Sequence, residues 1–352
     1  MHNKLLNQQI KTVNRTISET NGRLPKILVL LTASAVMIIT LSVTLWVSFR
    51  VMKAEAHVRY VGISNLAAEK IAMTVHGMEM NAKNVFDEVA KHLDTPDAVV
   101  SALKSKTELN PEVKGYFAAF EPDYFKQKGR WYEPYVHHKD SSLFVVSQVG
   151  SARHDYTQSN WYIRAKEHKE TFWSDPYYYQ DNDEIGLSGH YCTFVKPLFD
   201  AKGQLACVCG ADITLEWLAK KLRHIDESAR TDGMMNRFHK GSQQFYTVLI
   251  NHDGSPIAHP EDKPVSIKDA EVLGNIARQK NGMKDLTING VSTRVYYTPI
   301  EDINWAVALV VPTEDIWMPL IITGVSLFVM TIAGIFTIFT ALRKNKNKIK
   351  EE

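Results

Sequence analysis

Two stretches without a single charged residue, 27–49 and 316–342, constrain this chain more than any other feature. Each is long enough as an α-helix to cross about 30 Å of hydrocarbon. The first is too long for the apolar region of a secretory signal, and no small-residue cleavage pattern follows residue 49, so two membrane-spanning helices are expected. Lys4, Lys11, Arg15, Arg23 and Lys26 precede the first, and Arg343, Lys344, Lys346, Lys348 and Lys350 follow the second. Basic flanks stay in the cytoplasm, which places both termini (1–26 and 343–352) inside and residues 50–315 outside. A bacterial inner (cell) membrane with a periplasmic or extracellular domain is the expected location, with lipid around the two spans. The net charge of +2 carries no basic stripe, so nucleic acid is not an expected partner.

The outer segment reads as α+β. Residues 50–93 lack proline, and Leu66, Ile71, Val75, Met78, Val85, Val89 and Leu93 recur at helical spacing, predicting one long amphipathic helix. A shorter helix is predicted over 94–111, strands over 115–120, 131–136 and 143–149, and a helix over 161–169. Strands 191–198 and 204–213 flank a turn at 200–203. Thr214 is placed to cap a helix carrying Leu215, Leu218, Ala219, Leu222 and Ile225 on one face, ending near 226. The polar run 227–241 is expected to connect to a second unit: strand 246–251, helix 268–279, strands 283–288 and 291–298, and strand 305–311. Asn289-Gly290 between the paired strands suits a hairpin turn that needs positive φ at both central residues. Pro197-Leu198-Phe199-Asp200 in the first unit is echoed by Pro299-Ile300-Glu301-Asp302 in the second. The expected fold is a long N-terminal helix packed on two antiparallel sheets in series.

Between residues 161 and 213 aromatic side chains gather around one acid. Trp161, Tyr162, Trp173, Tyr177, Tyr178 and Tyr191 have apolar bodies and polar tips suited to a small-molecule pocket or to enclosing a cation. At least two are expected to line it. Strand alternation places Asp212 on one face with Ala206, Val208 and Gly210, leaving room above small side chains, and places Leu205, Cys207, Cys209, Ala211 and Ile213 on the other. Two readings of Asp212 stand: a carboxylate for a ligand's ammonium or polar group, or an anion at the N-terminus of the helix after Thr214.

The long helix, Trp161-Tyr162, Trp173-Ser174-Asp175-Pro176-Tyr177-Tyr178, Gly210-Ala211-Asp212-Ile213 and the second sheet unit together resemble a double Cache sensor domain. Such domains occur outside the membrane in bacterial chemoreceptors, sensor kinases, diguanylate cyclases and serine phosphatases. The run from Gly210 to Leu218 is most similar to the sensor halves of serine phosphatases. The resemblance implies two PAS-like modules, membrane-distal (94–226) and membrane-proximal (242–315), a homodimer, ligand binding in the distal module, and Asp212 among the ligand-binding residues. In the amino-acid-binding branch an arginine two residues before the Trp-Tyr pair clamps the ligand carboxylate. Ser159 stands there in this chain, which puts amino-acid sensing in doubt; Arg153 and His154 are the candidates to replace it, and Arg164 is expected on a helix surface. The ligand class left open is an amine, an amino-acid-like molecule or an organic acid.

Cys192, Cys207 and Cys209 are expected as buried thiols, a bridge from Cys192 to either of the others being the alternative. His137, His138 and Asp140, and Asp181, Asp183 and Glu184, lack the spacing of a metal site, so no metal or cofactor is expected. No phosphate loop, nucleophile elbow or zinc helix motif is present. The expected function is a transmembrane receptor rather than an enzyme, with output through a cytoplasmic domain beyond residue 352 or a partner protein. The alternative is an adaptor whose outer domain binds a periplasmic protein.

Overall fold

The computed structural model describes residues 2–107, 110, 112–138, 144–180, 188–231, 244–261 and 265–351. Asp140 and the acidic run Asp181, Asp183 and Glu184 lie outside them, as do residues 232–241 of the expected connection. The chain divides into two compact units, Tyr60–Thr313 and the pair Met1–Arg59 with Glu314–Glu352.

In the larger unit the elements follow hydrophobic periodicity closely. The first helix, α1 (His2–Ala90), includes the polar N-terminal residues and the first apolar stretch. Next come α2 (Pro96–Thr107), β1 (Gly115–Phe120), β2 (Pro134–His138), β3 (Phe144–Gln148) and α3 (Asn160–His168). Two short strands, β4 (Phe172–Trp173) and β5 (Tyr177–Gln180), occupy the aromatic stretch, where no strand is predicted; β6 (Ser188–Phe199) and β7 (Leu205–Thr214) follow. The turn between them is closed by Asp200 Oδ1, which accepts from the amides of Lys202 at 2.8 Å and Gln204 at 2.9 Å. The helix α4 (Leu215–Thr231) is capped by Thr214, whose hydroxyl accepts from the Trp217 amide at 3.2 Å. It runs past its predicted end because Asp226 is a docking residue rather than a terminus. Its carboxylate accepts the Thr247 amide at 3.0 Å and the Thr247 hydroxyl at 2.6 Å.

The first sheet has the order β3-β2-β1-β7-β6-β4, with β5 also on β6. Tyr116 and Ala118 of β1, Phe194 of β6, and Cys207 and Cys209 of β7 pack toward Ile71, Val75 and Phe86 of α1. Phe117, Ala119, Val195 and Val208 face the other way, onto Trp161, Tyr162 and Ala165 of α3. Leu205 joins this second face rather than that of Cys207, because the register shifts between Leu198 and Phe199. All three cysteines are buried free thiols. Leu66, predicted as part of the helix's apolar face, is instead 47% exposed.

The second sheet unit contains β8 (Tyr246–Asn251), β9 (Pro256–Ala258), α5 (Ala270–Ala277), β10 (Gly282–Ile288), β11 (Val291–Pro299) and β12 (Trp305–Pro312). Its sheet runs β10-β11-β12-β8-β9. Asn289 and Gly290 have φ of 50° and 79°, as the hairpin turn requires. One sheet face covers Val272 and Ile276 of α5. The other joins the α1 core through Leu249, Trp305 and Val307, and the ring of Tyr60 lies 5.7 Å from that of Tyr296.

The smaller unit holds the rest of α1 and α6 (Thr313–Glu351). Both helices contain a stretch long and apolar enough to cross a membrane. Phe49 stacks on Trp317 with ring centroids 5.6 Å apart.

Candidate ligand-binding site

A cavity of about 560 Å³ opens on the α3 face of the first sheet, within the size range of small-molecule sites. Its floor is set by strand register. Gly210 of β7 sits opposite Phe117 of β1, which in turn sits opposite Tyr135 of β2. A Cβ on residue 210 would lie 2.1 Å from Phe117 Cζ, so glycine is required for the Phe117 ring to lie over β7. The room expected above the small residues of β7 is therefore occupied by this ring, and the cavity begins above it.

Asp212 lies at the edge of that floor, between Gly115 on β1 and Thr193 on β6. It is 8% exposed. Thr193 Oγ1 donates to Asp212 Oδ1 at 2.6 Å, and Tyr177 is bonded both to Thr193 at 2.7 Å and to the carboxylate at 3.4 Å. Tyr135 also donates to this carboxylate. Burial raises the Asp212 pKa to about 6, opposed by these hydroxyl donors. The α4 cap is Thr214, so the carboxylate is committed to the cavity side.

The α3 wall is rigid because its base is pinned. Tyr156 donates to the Phe120 carbonyl at 2.6 Å, Tyr162 donates to Glu121 Oε1 at 2.8 Å, and Lys166 reaches both oxygens of Glu121. This holds Gln158, Ser159, Asn160 and Trp161 at the cavity rim. The Trp161 ring stands 5.0 Å from that of Phe117.

Of the residues singled out in the sequence, Trp161, Tyr177, Tyr178, Tyr191 and Asp212 line the cavity together. Tyr162 and Trp173 do not. Tyr162 faces Tyr156 and Glu121 beneath α3. Trp173 follows Phe172 on a two-residue strand, so when Phe172 points into the cavity Trp173 points away from it. Its indole donates to Glu79 of α1 at 2.8 Å and packs 5.3 Å from Trp305.

Sequence reasoning overlooked Glu133 and Tyr135, which also line the cavity. Their signal is an acid alternating with Trp131 and Tyr135 along a strand-like run, an inward position for a charge. His154, considered only as a substitute clamp, lines it too; burial lowers its pKa. Arg164 lies on the exposed side of α3 but reaches the wall, its guanidinium 4.0 Å over the Phe172 ring. Among the described residues no group of three or more His, Cys, Asp or Glu side chains is arranged to hold a metal.

Residues 99–220 match the family described as methyl-accepting chemotaxis protein-like, first PDC sensor domain. No curated protein matches the chain in sequence. Among solved structures, the extracellular domain of mmHK1S-Z3, assigned as a histidine kinase, superposes with a TM-score of 0.59 at 19% identity, covering 77% of this chain and 97% of that one. The periplasmic sensory domain of the Campylobacter jejuni chemoreceptor Tlp1 gives 0.57 at 16% identity, covering 74% and 95%. The ligand-binding domain of the Pseudomonas fluorescens chemoreceptor CtaA, in complex with L-isoleucine, gives 0.50 at 16% identity, covering 76% and 95%. Between its two long apolar helices this chain carries a sensor domain of the Cache type, with the fold of these chemoreceptor and histidine-kinase extracellular domains.

Proposed function

We infer that this chain is a two-pass inner-membrane receptor with both termini in the cytoplasm, whose distal module binds a small molecule bearing a cationic amino group. One observation carries the reading: a buried carboxylate, Asp212, facing a cavity of about 560 Å³ walled by aromatic rings. An uncompensated buried acid is costly, and an ammonium in the cavity offsets that cost. Ser159 supplies no guanidinium for a ligand carboxylate, which favours an amine over an amino acid. A domain that served only as an adaptor would have no use for such a void.

Binding would favour one packing of the distal module over another, in proportion to the difference in affinity between them. The shift passes to the membrane through α1, one continuous helix from His2 to Ala90. A homodimer through α1 is supported by Leu66, Met73 and Met80, exposed at 47%, 60% and 55% and spaced one heptad apart.

The test is a thermal-shift series on the full chain in detergent micelles with amines, amino acids, organic acids and purines. A true ligand at about 100 times its Kd stabilises by about 2.7 kcal/mol. Amines are expected to raise the midpoint, and Asp212→Asn to remove the rise while the protein stays folded. A rise that survives the substitution places the ligand elsewhere.

A further inference from the structure

The anchor at Asp212 leaves a second acid in the same cavity without a role. The Glu133 side chain is 4% exposed, and among the described residues its Oε2 accepts no hydrogen bond and its nearest basic group is His154 Nε2, 3.7 Å away. Its backbone is fixed: its amide donates to Gln148 Oε1 at 3.2 Å and its carbonyl accepts from Val149 at 3.1 Å. The carboxyl is therefore held at the cavity wall. Strand register places it relative to Asp212. Tyr135 is across β1 from Gly210, two residues before Asp212 on β7, and Glu133 lies two residues before Tyr135. The two acids sit on one sheet face, their backbones about 10 Å apart across two strand spacings and about 13 Å, four residues, apart along them. The rings of Phe117 and Tyr135 lie between. Among the described residues, the only arginine or lysine in the wall is Arg164, which sits over Phe172 on the exposed side.

We propose that Glu133, with His154 beside it, is a second cation subsite, and that the ligand is a dication of the α,ω-diamine class. One ammonium sits at Asp212 and the other at Glu133, with the methylenes across Phe117 and Tyr135. This rests on the reading of Asp212 as an ammonium anchor. The groups facing Glu133 are Asp212, His154, Tyr135, Tyr156 and Tyr177. Burial, then the Asp212 charge, push the Glu133 carboxyl well above the usual range, which favours its protonated form. A monoamine answers Asp212 alone. A second ammonium displaces the Glu133 proton to solvent and leaves a compensated ion pair.

Calorimetric titration of the full chain in detergent micelles, in two buffers of different ionisation enthalpy, tests this with α,ω-diamines of four to six carbons and the equal-length monoamines. The best diamine is expected to bind at least about tenfold tighter than its monoamine and to release more protons. Glu133→Gln should remove both differences. Glu133→Asp, which withdraws the carboxyl by one methylene, should shift the preference to a longer diamine, a change that loss of folding cannot imitate. Equal binding of monoamines and diamines, abolished by Asp212→Asn, would leave the receptor reading standing and overturn the second subsite. A diamine preference untouched by Glu133→Gln would overturn it as well. Binding of neither series would remove both the subsite and the amine anchor.

Discussion

Asn251 of β8 donates its side-chain amide to Asp175 Oδ1 at 2.8 Å. Asp175 lines the cavity, while Asn251 is buried on the second sheet, so the second sheet holds part of the cavity wall. The neighbouring contact of Trp173 with Trp305 reinforces the junction. Asn251→Ala is expected to cost about 1–2 kcal/mol in urea unfolding. A double-mutant cycle with Asp175→Ala should show a coupling of at least about 0.5 kcal/mol. Additive losses would mean that the hydrogen bond does not hold in solution.

Asp212 sets a pH dependence of stability. Its pKa in the folded protein is about 6, above the ordinary 3.8. The folded state therefore holds the proton more tightly than the unfolded state. The penalty is absent below about pH 4, grows as pH rises, and is complete above about pH 6, where it amounts to about 3 kcal/mol. Asp212→Asn should stabilise the ligand-free protein at pH 7.5, and the gain should vanish on acidification to pH 4. A gain that persists at pH 4 would have another origin.

Gly210→Ala drives a methyl group into Phe117. The expected cost is about 1–3 kcal/mol, as for overpacking in a filled core. The ring, forced upward, should also obstruct the cavity and weaken amine binding. Adding Phe117→Leu relieves the clash, so the double variant is expected to recover part of the stability lost by the single one.

Tyr162→Phe and Trp173→Phe separate scaffold from pocket. Each deletes a hydrogen bond to a glutamate outside the cavity, Tyr162 to Glu121 and Trp173 to Glu79. Losses of about 1–2 kcal/mol in stability are expected, with amine Kd changed by less than about twofold. A tenfold loss of affinity from either would bring that side chain into the site.

Met73→Glu places a charge in the middle of the exposed α1 stripe. Light scattering on the full chain should show a shift from dimer toward monomer, since a buried unpaired charge at a helix seam opposes association. An unchanged mass would remove α1 as the dimer contact.

Much of this architecture is visible in the residues because periodicity reports burial. β1 and β8 coincide with their predicted ranges, and the Asn289-Gly290 turn is local chemistry. Where prediction and structure part, a tertiary contact decided the outcome. Trp173 and Tyr177 look alike as aromatic residues, yet opposite sheet faces claim them, because the two short strands around Asp175-Pro176 form only against β6. Glu133 was passed over because a single acid in an apolar run has no sequence partner; its meaning comes from Asp212, far along the chain and across β1. Phe117 could not be placed over Gly210 without the register of β1 on β7.

The two-residue strand β4 has a different partner at each residue. Phe172 lines the cavity, while on the next residue the indole of Trp173 is tied to Glu79 on the long helix. Neither end can tilt without the other, because one peptide unit separates them and a 2.8 Å hydrogen bond has almost no slack. Strand β4 thereby joins the cavity wall to the long helix α1 across a single peptide unit.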